Sequence, residues 1–448
     1  MCKALTKASL LFLVTVVVLM LSPAINSDAS PKKVITFVHS FTSEEGAGEI
    51  FTQAYGWVTA AKAKFEAENP NVEVKLEFME MGEVEQKIMT DYAAGVPHDV
   101  FICQSSLMLQ HIATGDARDF SQYFNALPKS EQDDFTWHPT WSRCMVNGKL
   151  YALPLGLHVR NIAYRKDYFK AAGLNPNVTP KTLQELAQFA MKLNDPSKGI
   201  WGLGLYMGPS EGSIVCSWLP LLWSLGGDLW DPKTKMATYT DPAVIEMVQF
   251  CYDAVHKYKI TPISNLSGMY NETALVPFQN GKYAMCFGIG NYWLADVQKA
   301  GLISGVYPPS DKVDDSKVGW FSCPEKNAKL YANSWNVAMY SLTKEPELAW
   351  KFIKCAVDKT VLPKFIAFGG FPSRLSSYQS DVYKAPFWQM WLGFAKISHV
   401  APGTSNFADM ATSFTQCVQE IISSGTDKNL KATLQKYQDE WNQSFGGR

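Results

Sequence analysis

Between Lys33 and Cys103 the chain alternates strand-like and helix-like stretches in an order that leaves few folds open. Lys33–His39 (KVITFVH) is a β-rich run that ends in polar residues. Glu49–Asn69 reads as a helix stopped by Asn69-Pro70, with Ala60, Ala61, Phe65 and Ala67 on its packed side. Val72–Phe78 (VEVKLEF) alternates as a half-exposed strand, Glu83–Ala94 is a second helix closed by Gly95, and Val100–Cys103 is a buried strand. A β-α-β-α-β order predicts a parallel sheet with right-handed crossovers, and therefore an α/β fold. Open sheets of this kind hold ligands at the carboxyl ends of their strands. That places His39 and Ser40, after the first strand, and Gln104, Ser105 and Ser106, after the third, among the candidate binding residues.

The next constraint is Lys149–Phe169, KLYALPLGLHVRNIAYRKDYF. Leu150, Ala152 and Pro154 belong to an extended run, and Ile162–Tyr164 resumes it after a polar interruption. His158 and Arg160 stand out, because a buried imidazole or guanidinium needs a partner. Beyond it, Thr182 and Glu185 form a capping box for a helix to Leu193. Gly199–Met207 reads as a strand and Val215–Leu225 as an apolar helix. Asp241 and Pro242 supply the N-cap and first position of a helix over 243–258. At 448 residues the chain exceeds one ordinary core, and about two domains are expected.

Several motifs along the sequence belong together. They are F-x-x-x-N-P-x-V-x-V at Phe65, A-A-G-x-P at Ala93, N-G-K-x-Y-x-L-P at Asn147 and Y-x-K-D-x-F at Tyr164. They continue with F-x-x-G-x-x-A-M at Phe278, leading to Gly290-Asn291-Tyr292-Trp293, then K-x-P-E-x-A-W-x-F-I at Lys344 and G-x-x-P-x-R at Gly369. In this order they resemble the family 1 extracellular solute-binding proteins, which are maltose-binding-protein-like ligand-capturing subunits of carbohydrate ABC importers. His98 between Pro97 and Asp99 is a departure from the family's Pro-Asp. The resemblance covers essentially the whole sequence after residue 30. It implies a two-lobed periplasmic-binding-protein-like fold with an interlobe ligand cleft and hinge crossovers near Gly156–Ile162 and Lys317–Cys323. The first lobe would comprise residues 30–155 and a return segment 317–360, and the second 156–316 and 361–448 with the C-terminal helices.

A sugar cleft needs flat apolar faces for C–H surfaces and polar groups for hydroxyls. The sequence has 14 Trp, 19 Tyr and 25 Phe, more than packing requires. Trp293, after small residues that permit close backbone approach, Trp335 in the polar stretch ANSWN with Asn333 and Ser334, and Trp218 near the start of its apolar helix are the candidates. His158 lies where the family places a cleft residue. Arg374 either makes a bidentate ligand contact or ties its loop down. The resemblance implies a mono- or oligosaccharide ligand, ABC importer permease subunits as partners and a monomer. Glycerol phosphate is the alternative within the family, and it would recruit His39, His158 or Arg374.

The N-terminus reads as a signal peptide over residues 1–29. Lys3 and Lys7 precede an apolar run, Leu10–Leu21, shorter than the about 20 residues of a spanning helix, and Ser27-Asp28-Ala29 offers a cleavage site. Retention as an anchor stays open, and the expected location is the periplasm or the extracytoplasmic face of the membrane. The eight cysteines from Cys103 to Cys417 lack C-x-x-C spacing; buried thiols are expected, with one or two disulfides allowed. A net charge of −1 argues against nucleic acid or an anionic membrane as partner. The sequence shows no nucleotide loop, metal cluster or catalytic signature in context, so neither enzyme activity nor a cofactor is expected. A secreted carbohydrate-active enzyme, and an adhesin or receptor-coupled sensor on the same fold, are the competing classes.

Overall fold

The computed structural model describes residues 31–43, 49–80, 83–209, 211–368 and 371–447. The expected signal peptide and Gly369-Gly370 of the G-x-x-P-x-R turn lie outside the described residues. The opening is β1 (Lys33–His39), α1 (Glu49–Glu68), β2 (Val72–Phe78), α2 (Val84–Ala93) and β3 (Val100–Gln104). β1 lies between β2 and β3, parallel to both. On α1 the buried stripe runs through Ala54, Trp57, Val58, Ala61 and Phe65, whereas Ala67 is exposed. The 3.6-residue period from Phe65 back to Trp57 sets that face, and Ala67 falls on the opposite side.

Two sheets follow from one long stretch of backbone. β4 (Ala152–Arg160) belongs to the first sheet, and after the single residue Asn161 β5 (Ile162–Arg165) opens the second. The helix α3 (Leu183–Leu193) starts as expected: Thr182 Oγ1 accepts from the Glu185 N–H at 3.1 Å, while the Glu185 carboxylate takes the Lys181 N–H at 2.8 Å. β6 (Trp201–Gly204) is shorter than expected. α4 (Pro242–His256) has Pro242 at its first position, but the Asp241 side chain makes no cap hydrogen bond. β7 (Tyr283–Phe287) and β8 (Val318–Phe321) complete the second sheet in the order β8-β5-β7-β6. β9 (Leu330–Met339) returns to the first sheet, antiparallel to both β3 and β4. The helices α5 (Pro346–Ala356), α6 (Phe407–Ser423) and α7 (Leu430–Phe445) follow toward the C-terminus.

The cores reveal where the lobes meet. One contains Ile35–Leu155 and Trp335–Phe365 together with Tyr292; the other contains Leu157–Ala332, apart from Tyr292, and Phe371–Trp441. β4 therefore leaves the first core between Leu155 and Leu157, and β9 enters it between Ala332 and Trp335. The expected second crossover at Lys317–Cys323 is displaced: β8 is still bonded to β5, antiparallel, in the second sheet. A third crossing runs from Phe365 to Phe371, where Leu157 donates to the Phe371 carbonyl at 2.9 Å and Ser373 to that of Leu155 at 3.2 Å. The three crossing segments lie side by side and share hydrogen bonds, the geometry of a hinge. All eight cysteines from Cys103 onward are buried free thiols, so no disulfide forms among the described residues.

Candidate functional site

The site is built outward from β4. His158 and Arg160 stand two residues apart and share a face of the strand. That face meets Tyr292, whose ring centroid lies 4.6 Å from the His158 ring and 5.0 Å from the Arg160 guanidinium carbon. The loop carrying Tyr292 is fastened to the strand by Asn291. Its Oδ1 accepts from the Val159 N–H at 2.7 Å, and its Nδ2 donates to the Leu157 carbonyl at 2.7 Å. Gly290 comes so near that a Cβ there would stand 1.6 Å from the Val159 oxygen. The Gly290-Asn291-Tyr292-Trp293 sequence is thereby explained: glycine permits the approach, and asparagine imitates a neighbouring strand.

Trp293 packs against both cores. Its indole stacks on Tyr270 at 5.4 Å and 18°, and meets Tyr292 edge-on at 4.7 Å and 88°. Around this stack several buried polar atoms have no hydrogen-bond partner: Trp293 Nε1, Tyr270 Oη, Arg160 Nε and Nη1, Tyr331 Oη and Ser106 Oγ. Ser106 belongs to the first lobe, Arg160 and Tyr331 to the crossing strands, and Tyr270 and Trp293 to the second lobe. Glu211, also of the second lobe, stands beside Ser106, Glu85 and Arg160; burial drives its carboxyl up to about 7. Each buried polar group left unpaired costs about 1–3 kcal/mol, so proteins seldom tolerate several at one spot. Their convergence between two lobes, beside a stacked aromatic pair, is what a small-molecule cleft presents to its ligand.

The residues singled out in the sequence fall into three groups. His158 and Trp293 face this cluster. Burial, then Arg160 and His138, hold the His158 imidazole well below its usual pKa, so it is neutral. His39 and Ser40 sit at the end of β1 as expected, both buried. His39 Nδ1 accepts from the Phe41 N–H at 3.3 Å, burial lowers its pKa to about 4, and its ring neighbours, Phe37, Tyr55 and Phe78, all belong to the first lobe.

The third group is engaged elsewhere and corrects the expectation. Asn333 donates to Gln104 Oε1 at 3.0 Å, and its own oxygen accepts from Ser105 Oγ and from the N–H groups of Ser106 and Ser334. Ser334 Oγ lies 2.8 Å from Thr140 Oγ1 and 2.7 Å from the Asn336 amide. Gln104, Ser105, Asn333 and Ser334 thus join β3 to β9 at the hinge. Trp335 is buried in the first core, edge-on to Phe41 at 5.6 Å, and Trp218 in the second, edge-on to Phe414 at 5.9 Å. Arg374 ties its loop down: Nε donates to the Val357 carbonyl at 2.6 Å, Nη1 to Asp134 at 3.0 Å, and the guanidinium covers Phe135 at 4.5 Å.

Sequence reasoning missed Glu211, Tyr270 and Tyr331, and noticed Arg160 without assigning it. For Arg160 the signal was present, since strand alternation puts it on the face of His158. For Glu211 and Tyr270 it was not. Both adjoin π-helical turns, Ile214–Trp218 and Asn271–Leu275, that a regular 3.6-residue period conceals.

The family profile described as bacterial extracellular solute-binding protein matches residues 49–361. A putative binding protein of Brucella abortus is 24% identical over 367 residues, covering 80% of this protein and 83% of its own length. Among solved structures, an ABC transporter solute-binding protein from Thermotoga lettingae bound with α-D-tagatose superposes with a TM-score of 0.76 at 18% identity. It covers 93% of this protein and 100% of its own length. An ABC transporter solute-binding protein from Agrobacterium vitis with bound D-mannitol gives 0.71 at 22% identity, with coverage of 93% and 100%.

Proposed function

The chain belongs to the bacterial extracellular solute-binding proteins, and from that premise we propose that it captures a sugar or sugar alcohol between its lobes and presents it to the permease of an ABC importer. The observation that carries the ligand class is Trp293, stacked on Tyr270 and in contact with both cores, with its Nε1 buried and unpaired. An indole so placed offers a flat face to the C–H groups of a sugar ring or an open polyol, and a donor to a hydroxyl. Arg160, His158, Tyr331, Ser106 and Glu211 supply the polar complement. The structural relatives bound to tagatose and mannitol support a ligand of this size and chemistry. His39 and Ser40, at the carboxyl end of β1, belong to the proposed first-lobe wall, whereas Gln104 is held at the hinge by Asn333.

Binding at a junction of three hinge segments couples occupancy to closure. A ligand touching Ser106 on one lobe and Trp293 on the other favours the closed state by its differential affinity for that state. The permease then has a shape by which to distinguish loaded from empty protein. In this reading the protein is a carrier outside the cytoplasmic membrane, acting as a monomer without catalysis. Among the described residues no helix is long and apolar enough to cross a membrane.

The test is a thermal-shift screen of the protein against neutral sugars and polyols, followed by titration of Trp293→Ala. A ligand at a hundredfold excess over Kd raises stability by about 2.7 kcal/mol. The expected result is a selective rise with one saccharide or polyol class and a loss of at least tenfold in affinity on removing the indole. Unchanged affinity in Trp293→Ala would place the site elsewhere.

A further inference from the structure

Arg160 is the one arginine among the described residues that donates to nothing. Arg118 reaches the Ser341 carbonyl, Arg143 that of Ala401, Arg165 the Asp167 carboxylate, and Arg374 both Val357 and Asp134. Arg160 keeps Nε and Nη1 buried and unpaired, with its guanidinium lying over Tyr292. A guanidinium stays ionised in proteins, so this is a fixed positive charge facing the cleft with no counter-charge bonded to it. The other unpaired atoms there, Trp293 Nε1 and the hydroxyls of Tyr270, Tyr331 and Ser106, are all able to donate.

We infer that the cleft is built for a sugar acid, a hydroxylated ligand whose carboxylate docks on Arg160 while its carbon skeleton lies against Trp293. This inference rests on the reading of the cleft as a sugar site and narrows it. Planar, bidentate recognition of a carboxylate is what a guanidinium does best. A neutral sugar would hydrogen-bond to Arg160 but leave its charge uncompensated. The acid nearby does not fill the role: Glu211 makes no ion pair with Arg160, and burial pushes its carboxyl up to about 7, toward the neutral form.

The experiment compares matched pairs by calorimetry on the full protein: glucuronate with glucose, galacturonate with galactose, and gluconate with glucitol. It is repeated for Arg160→Gln and Arg160→Lys after circular dichroism has shown each to be folded. The expected result is that at least one acid binds ten- to a hundredfold tighter than its neutral partner. Arg160→Gln abolishes that preference by weakening the acid at least tenfold more than its neutral partner, which loses only the hydrogen bond, and Arg160→Lys retains part of it. If a neutral sugar binds as well as its acid, or Arg160→Gln weakens both alike, the sugar-acid inference fails and the sugar site stands. If no neutral or acidic sugar binds the folded protein, the sugar reading itself fails, and the inference with it.

Discussion

Asn291 holds more of this structure together than its size suggests, and removing it has a calculable effect. Its side chain makes two hydrogen bonds of 2.7 Å, one to the Val159 N–H and one to the Leu157 carbonyl, and both residues are buried at the start of the second core. Asn291→Ala strands two buried backbone groups, and at about 1–3 kcal/mol for each the expected loss is about 2–6 kcal/mol. Urea unfolding should show a lower midpoint with an unchanged slope, because the surface exposed on unfolding stays the same. Asn291→Asp separates the two bonds. Its carboxylate still accepts from Val159 but faces the Leu157 carbonyl with a lone pair, which raises the folded-state pKa of the new acid. The folded form then takes up a proton at a higher pH than the unfolded polypeptide does. The variant's deficit relative to the parent should therefore be largest near pH 8 and shrink as the pH falls, when the protonated acid donates to Leu157. An Asn291→Ala loss below about 1 kcal/mol, or an Asn291→Asp deficit flat in pH, would refute the clamp.

Arg374→Ala should destabilise the fold by about 1.5–3 kcal/mol in urea, because it removes the charged donor to Asp134, which keeps only the Ser376 N–H and hydroxyl and a distant Lys359. The affinity of the folded protein for whichever sugar the screen returns should stay within threefold, since Arg374 faces Phe135 and not the cleft. His138 is fully enclosed, accepts from the Thr140 N–H and has its pKa lowered by burial to about 3. Above pH 6.5 it is neutral folded or unfolded. Below that the unfolded polypeptide takes the proton first, so the residue destabilises increasingly as the pH falls toward 3. Melting temperatures between pH 7.5 and 4.5 should fall less for His138→Gln than for the parent.

How far the sequence revealed this molecule depends on which physical signal carried each part. Strands and helices of the first lobe obey local rules, and so does the first helix of the second: the alternation of VEVKLEF, the Asn69-Pro70 stop and the Thr182–Glu185 cap each act within a few residues. The close packing before Trp293 was legible for the same reason, because Gly290 and Asn291 announce a backbone pressed against another strand. Asn333, Ser334 and Trp335 misled because a polar stretch around an indole reads as a loop open to ligand. It is in fact a strand at the hinge, where buried backbone and side chains satisfy one another across β3, β4 and β9. Local composition cannot distinguish a polar group waiting for a ligand from one already bonded to its own protein; only the identity of its partners does. Arg374 and Arg160 make the same point from opposite sides. Both are arginines in short polar turns or strands, yet Arg374 is paired with Asp134, 240 residues away in sequence, while Arg160 leaves two buried nitrogens without an acceptor. The site proposed for this protein lies where the pairing is incomplete, and that is a property of the assembled lobes that no single segment holds by itself.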